Sequence, residues 1–133
     1  MASILIADDS PSMRRMVATT LRTAGHEVIE VEDGSAALSV AEQNSFDVII
    51  SDMNMPGMTG IELVEALRNR SLHQHAPILM LTTETSEDLK ERARKAGASG
   101  WLGKPFNPEQ LISVVYRVLA RHSSKPTTAG ALA

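Results

Sequence analysis

Residues 48–57 read Val48-Ile49-Ile50-Ser51-Asp52-Met53-Asn54-Met55-Pro56-Gly57. An apolar run of strand type stops at a carboxylate, and a loop punctuated by Pro56, Gly57 and Gly60 leads into a helical pattern. A buried strand that delivers an Asp to its carboxyl end places it in the crevice where open α/β sheets bind ligands. What the rest of the chain brings to that crevice decides the function.

On the N-terminal side, Ser3–Ala7 is short, apolar and rich in strand formers, and it ends at Asp8-Asp9. Ser10 followed by Pro11 reads as an N-cap with a preorganised first helical residue. Met13, Met16, Val17, Leu21 and Ala24 then recur at helical spacing until Gly25 stops the helix. Glu27–Val31 alternates as a half-buried strand, and Asp33-Gly34 turns into a helix with Ala37, Leu38 and Ala41 on one stripe. The third strand is predicted over residues 46–51, ending at Asp52.

On the C-terminal side, Thr59-Gly60-Ile61-Glu62 fits a capping box, and Ile61, Leu63, Val64 and Leu67 mark the helix behind it. A polar loop over 69–75 precedes a fourth strand over 78–81 that ends at Thr82. Thr85-Ser86 opens a charged helix, Glu87–Ala96, stopped by Gly97. A weak fifth strand, Gly100–Gly103, ends at Lys104-Pro105. Asn107-Pro108 caps a last helix whose apolar face is Leu111, Ile112, Val115, Val118 and Leu119. Residues 123–133 are small, polar and punctuated by Pro and Gly, which predicts a disordered tail. Five strands alternating with five helices predict a parallel sheet covered on both faces, doubly wound and forming a single domain over residues 1–122.

Composition narrows the chemistry. The 133 residues include no cysteine, which excludes disulfides, thiolate metal sites and thiol nucleophiles. A formal net charge of −3 argues against a nucleic-acid surface, which would show a basic excess. Apolar runs such as Ile78-Leu79-Met80-Leu81 fall far short of the roughly 20 residues a membrane span needs. No charged segment followed by an apolar stretch opens the chain, so a cytoplasmic location is expected.

A parallel sheet presents every strand's carboxyl end on one side. That edge would therefore collect Asp8 and Asp9 from the first strand, Asp52 from the third, Thr82 from the fourth and Lys104 from the fifth. Carboxylates packed together repel one another unless a cation sits among them. Hard oxygen ligands without His or Cys point to Mg2+, which favours sites completed by a phosphate. A Lys and a Thr hydroxyl in the same crevice suit a phosphoryl group. With charge neutralised, a carboxylate can serve as the nucleophile and form an aspartyl phosphate. Each group also has a plainer reading. Asp8-Asp9 could cap the helix, Asp52 could form a turn, Thr82 could simply end a strand, and Lys104 could be a solvated surface charge. Pro105 could be a routine helix stop or a place for a cis bond. The joint pattern, with each residue type at a strand end, favours the site.

These residues carry a resemblance to the response-regulator receiver domains of two-component signalling, over roughly residues 3–122. Ile6-Ala7-Asp8-Asp9-Ser10 resembles the acidic pair, Asp52-Met53-Asn54-Met55-Pro56-Gly57 the phosphoacceptor loop, Leu81-Thr82 the switch hydroxyl, and Gly103-Lys104-Pro105-Phe106 the lysine motif. The resemblance implies a flavodoxin-like sheet of strand order 2-1-3-4-5. It implies that Asp52 accepts a phosphoryl group from a histidine kinase. Asp9 and Asp52 would hold Mg2+, with Asp8 acting largely through water and Asn54 giving its backbone carbonyl. Lys104 would pair with the acceptor, and Thr82 would swing toward the new oxygens with Trp101 following. Tyr or Phe is usual at that last position, so the bulkier Trp is a departure.

Such a module would catalyse only its own phosphorylation and dephosphorylation. Because nothing follows the receiver except the short tail, output through protein contacts rather than DNA is expected. The face made by Glu87–Ala96, Gly100–Gly103 and residues 108–121 would carry it, since satisfying a new phosphoryl group repacks strands four and five. The charged run 87–92 reads first as a solvated helix face. Among stand-alone receivers the chain is most similar to chemotaxis regulators, implying a chemotaxis kinase upstream, the flagellar motor switch downstream, a phosphatase and a monomeric state. A stand-alone receiver of another phosphorelay remains open. A haloacid-dehalogenase-type phosphatase would need an Asp-x-Asp motif after the first strand, which Asp8-Asp9-Ser10 does not supply. No Gly-rich phosphate loop supports a nucleotide-binding module. His73 and His75 read as exposed loop residues, and His26 and His122 have no evident partner. Met13, Met16 and Met80 read as core filling, while Met53, Met55 and Met58 in the loop could shield a phosphoryl group from water.

Overall fold

The computed structural model describes residues 2–84 and 86–121, the side chain of Ser71 apart. Its elements run β1 Ser3–Ala7, α1 Pro11–Thr23, β2 Glu27–Val31, α2 Gly34–Gln43, β3 Val48–Asp52, α3 Gly60–Arg68, β4 Ile78–Thr82, α4 Glu87–Ala96, β5 Gly100–Gly103 and α5 Pro108–Leu132. All four strand pairings are parallel, in the order β2-β1-β3-β4-β5. This is the flavodoxin-like order expected from the sequence. The expected tail over 123–133 and the helix-opening Thr85 lie outside the described residues.

Strand side chains alternate between two cores, which is why the central strands read as continuous apolar runs. Ile4, Ile6, Val48, Ile50, Leu79 and Leu81 face α1 and α5, meeting Val17, Ala18, Leu21, Leu111 and Val115. Leu5, Ile49, Ile78 and Met80 face the other way, against Ala37 and Ala41 of α2, Leu63, Val64 and Leu67 of α3, and Ala93 of α4. β3 and β4 are buried at every position.

The helix starts follow the sequence signals. Ser10 accepts from the Met13 amide at 3.3 Å with Pro11 behind it, and Asp33 accepts from the Ala36 amide at 2.8 Å. The box at α3 closes both ways: Thr59 N–H donates to Glu62 at 2.9 Å, and Glu62 N–H donates to the Thr59 hydroxyl at 3.2 Å. Asn107 and Gln110 form the same reciprocal pair at α5, at 2.8 and 2.9 Å. Gly97 ends α4 at φ +114°, a conformation that favours glycine.

Three expectations need correction. β3 begins at Val48 rather than residue 46; Phe46 is buried ahead of the ladder, stacked on His73 with ring centroids 6.2 Å apart. His73 is therefore fully buried, not exposed, with Nε2 at 3.0 Å from the Ala41 carbonyl and 3.2 Å from that of Asn44. It sits in a 3-10 turn, Ser71–His73, within the stretch read as a polar loop. Arg68 organises that stretch, donating to the carbonyls of Gly97, His73 and Ala76 at 2.6–3.0 Å. His26 also has a partner, since Nδ1 accepts from the Ala2 amide at 3.1 Å.

Candidate functional site

The carboxyl ends of β1, β3, β4 and β5 converge as parallel geometry requires. Asp8 follows β1 and is fully buried, Asp9 beside it is exposed, and Asp52 ends β3 at 7% exposure. One carboxylate oxygen from each of Asp8, Asp9 and Asp52 lies within 4.8 Å of the others. Lys104, just past β5, puts Nζ 2.9 Å from Asp52 Oδ1 and 3.8 Å from Asp8 Oδ2. The Lys104–Pro105 bond is cis.

Burial, with help from the neighbouring Asp52 and Asp9 charges, raises the Asp8 pKa above its ordinary value. The Ser10 amide, donating to Asp8 Oδ1 at 2.9 Å, and the Lys104 charge oppose the rise without cancelling it. Asp8 Oδ2 is buried and has no hydrogen-bond partner. An unsatisfied buried carboxylate oxygen costs free energy, and a hard cation beside two further carboxylates would relieve it. The donor set thus fits Mg2+, with all ligands oxygen and one ammonium at the rim.

The raised pKa has a measurable consequence. The folded, metal-free protein holds the Asp8 proton more tightly than the unfolded chain does. Stability therefore falls as pH rises from the ordinary carboxylate range through the raised native value, and above it the penalty is fully present. Asp8→Asn removes the charge and is expected to stabilise the chelator-treated protein at neutral pH by about 1 kcal/mol in denaturant unfolding. No gain would mean that Asp8 is already compensated.

Thr82 stands at the right strand end, but its hydroxyl is turned into the β4–α4 turn. It donates to the Glu84 carbonyl and accepts from the Glu84 amide, both at 2.9 Å. Its hydroxyl is thus engaged by its own turn, while its carbonyl accepts from the Lys104 amide at 2.7 Å. Asn54 is exposed in the loop two residues past Asp52. Trp101 is half-buried opposite Met80 in the β4–β5 register, with Lys90 Nζ from α4 lying 5.3 Å from its ring centroid. Met53 and Met55 are buried in the α2–α3 core, which accounts for them by packing, and Met58 packs at its margin.

Other residues shape the site that the sequence did not assign to it. Gly60 opens α3 directly against the Asp52 backbone, and Ser51 Oγ donates to the Asp52 carbonyl at 2.9 Å. Arg14 donates to the Asp8 carbonyl at 2.7 Å.

This geometry can be set beside known proteins. The family description "Response regulator receiver domain" matches residues 4–116. The chain belongs to the response regulator receiver family. Chemotaxis protein CheY of Pseudomonas aeruginosa is 39% identical over 119 residues, covering 89% of this receiver and 96% of that protein. The structure of chemotaxis response regulator CheY4 of Vibrio cholerae superposes with a TM-score of 0.86 at 54% identity, covering 89% of this receiver and 98% of that chain. The receiver domain of the Pseudomonas aeruginosa sensor histidine kinase PA1611, described with a magnesium ion coordinated in its active-site cleft, superposes with a TM-score of 0.83 at 28% identity, covering 90% and 98%. Among the described residues no helix is long and apolar enough to cross a membrane.

Proposed function

We propose that this receiver is a phosphorylation-activated switch in which Asp52 accepts a phosphoryl group from the phosphohistidine of a histidine kinase. The observation that carries the reading is the Asp8–Asp9–Asp52 cluster, with a buried Asp8 oxygen that lacks a hydrogen bond and Lys104 on Asp52. Asp9, Asp52 and the Asn54 carbonyl would hold Mg2+, with Asp8 acting mainly through water; the ion supplies neutralisation of the charge brought in by phosphate. An Asp52 oxygen forms the new P–O bond as the P–N bond to the kinase imidazole breaks, and Lys104 accompanies the developing charge. Thr82, released from Glu84, would turn to the new oxygens, and Trp101, opposite Met80 on the neighbouring β5, would repack against α4. The neighbouring face of α4, β5 and α5 then signals by protein contact.

The similarity to CheY proteins along nearly their whole length supports a chemotaxis role, with a chemotaxis-type kinase upstream, the flagellar motor switch downstream and a cytoplasmic setting. The test is intact-protein mass after incubation with Mg2+ and a small acyl phosphate. A labile gain of one phosphoryl group, lost on chelation, is expected; no gain under any condition would sink the reading. Asn54 lies where water must approach a phosphorylated Asp52, so Asn54→Ala is expected to change the lifetime of the modified form severalfold. An unaltered decay, followed by mass, would remove Asn54 from that step.

A further inference from the structure

Arg14 lies in the first turns of α1, outside the acidic cluster, and the proposed phosphoryl chemistry does not use it. Its Nη1 donates to the Asp8 carbonyl at 2.7 Å, and its Nε faces Glu30 Oε1 of β2 at 3.6 Å. Both side chains are largely covered, at 20% and 17% exposure. Glu30 is itself anchored, since Arg22 Nη1 donates to it at 2.9 Å and Arg22 Nη2 donates to the Val28 carbonyl at 2.9 Å. One residue along β2, the Val31 carbonyl accepts from the Asp8 amide at 3.2 Å.

Both backbone polar groups of Asp8 are therefore held, its N–H by Val31 and its carbonyl by Arg14. The second of these bonds fixes the plane of the peptide that joins Asp8 to Asp9. Asp9 needs that support. It is exposed, and among the described residues no hydrogen bond or ion pair holds its side chain, yet its carboxylate must meet Asp52 within 4.8 Å.

We propose that Arg14, braced by Glu30, is a positioning residue for the divalent-cation site, orienting the Asp8–Asp9 peptide so that both carboxylates converge with Asp52. The inference rests on the reading of that cluster as a Mg2+ site. Charge alone makes the opposite forecast, because removing a nearby cation should tighten the binding of another. Groups that orient metal ligands from behind typically contribute about tenfold or more to affinity.

The experiment is calorimetric titration of the full chain with Mg2+, for wild type, Arg14→Met, Arg14→Lys and Arg15→Met, with thermal unfolding of each in chelator. Arg15 approaches the same Glu30 at 3.9 Å but is 74% exposed, which makes it the matched loss of charge. Arg14→Met is expected to bind Mg2+ about tenfold more weakly. Arg14→Lys should recover part of the loss, since an ammonium can reach the carbonyl but lacks the second arm to Glu30. Arg15→Met should bind as wild type does. Equal or tighter binding by Arg14→Met, or equal weakening by Arg15→Met, would overturn the assignment. If Arg14→Met does not unfold cooperatively, the same comparison is made with Arg14→Lys, for which wild-type affinity counts against the proposal. Absence of Mg2+ uptake by the wild type would instead remove the metal-site reading itself.

Discussion

Asp52→Asn is expected to abolish phosphoryl uptake while leaving the fold standing. The amide has nearly the shape of the carboxylate and keeps an oxygen able to accept from Lys104, now 2.9 Å from Asp52 Oδ1. It also removes one of three mutually repelling charges, so no large loss of stability follows. An amide oxygen is a poor nucleophile toward phosphorus, and the step fails at bond formation rather than at folding. Under Mg2+ and acyl phosphate the wild type should gain the mass of one phosphoryl group and the variant none. The chief competitor is Asp8, a second carboxylate with an oxygen that lacks a hydrogen bond in the same crevice. A labile gain that persists in Asp52→Asn would transfer the acceptor role there. Geometry argues for Asp52, because Lys104 stands 2.9 Å from its oxygen and 3.8 Å from that of Asp8.

How far such a site can be read from a sequence depends on what holds each residue. Asp8, Asp9, Asp52, Thr82 and Lys104 were legible because turn and cap residues mark where strands stop, and a parallel sheet then puts all those stops on one edge. The caps at Ser10, Thr59 and Asn107 were legible for a related reason: each bonds within three residues of itself. Arg14, Arg68 and His73 were not. All three bond to backbone carbonyls, which every residue carries, and some of those carbonyls lie about 30 positions away, as Gly97 does from Arg68 and Ala41 from His73. No side-chain pattern records such a bond. The boundary of β3 failed differently. Periodicity reports burial, and Phe46 is buried without joining the ladder. The orientation of Thr82 was also beyond reach, since a threonine at a strand end can serve its own turn or the crevice with equal ease.

Gly60→Ala is expected to damage folding and phosphoryl uptake together, through one added methyl group. The backbone there is unstrained, so the constraint is space. A Cβ would run into the Asp52 carbonyl oxygen and lie 2.9 Å from Met53 Cα and 2.7 Å from Met80 Cε. The Met80 methyl can swing aside, but the other two atoms belong to the backbone that carries Asp52, the proposed acceptor. The Gly60 amide is also bonded to the Met53 carbonyl at 2.8 Å, which ties the start of α3 to the residue after Asp52. Overpacking of this kind costs about 1–3 kcal/mol, measurable by denaturant unfolding. A displacement of Asp52 by about 1 Å should slow phosphorylation on the order of a hundredfold. Thr59→Ala separates the two effects. It removes the cap of the same helix at a cost of about 1 kcal/mol without approaching Asp52, so its phosphorylation rate should remain near wild type. Similar rate losses in both variants would mean that uptake follows α3 stability in general. A wild-type rate in Gly60→Ala would mean that the crevice tolerates movement of its acceptor, against the tight backbone packing seen at this position.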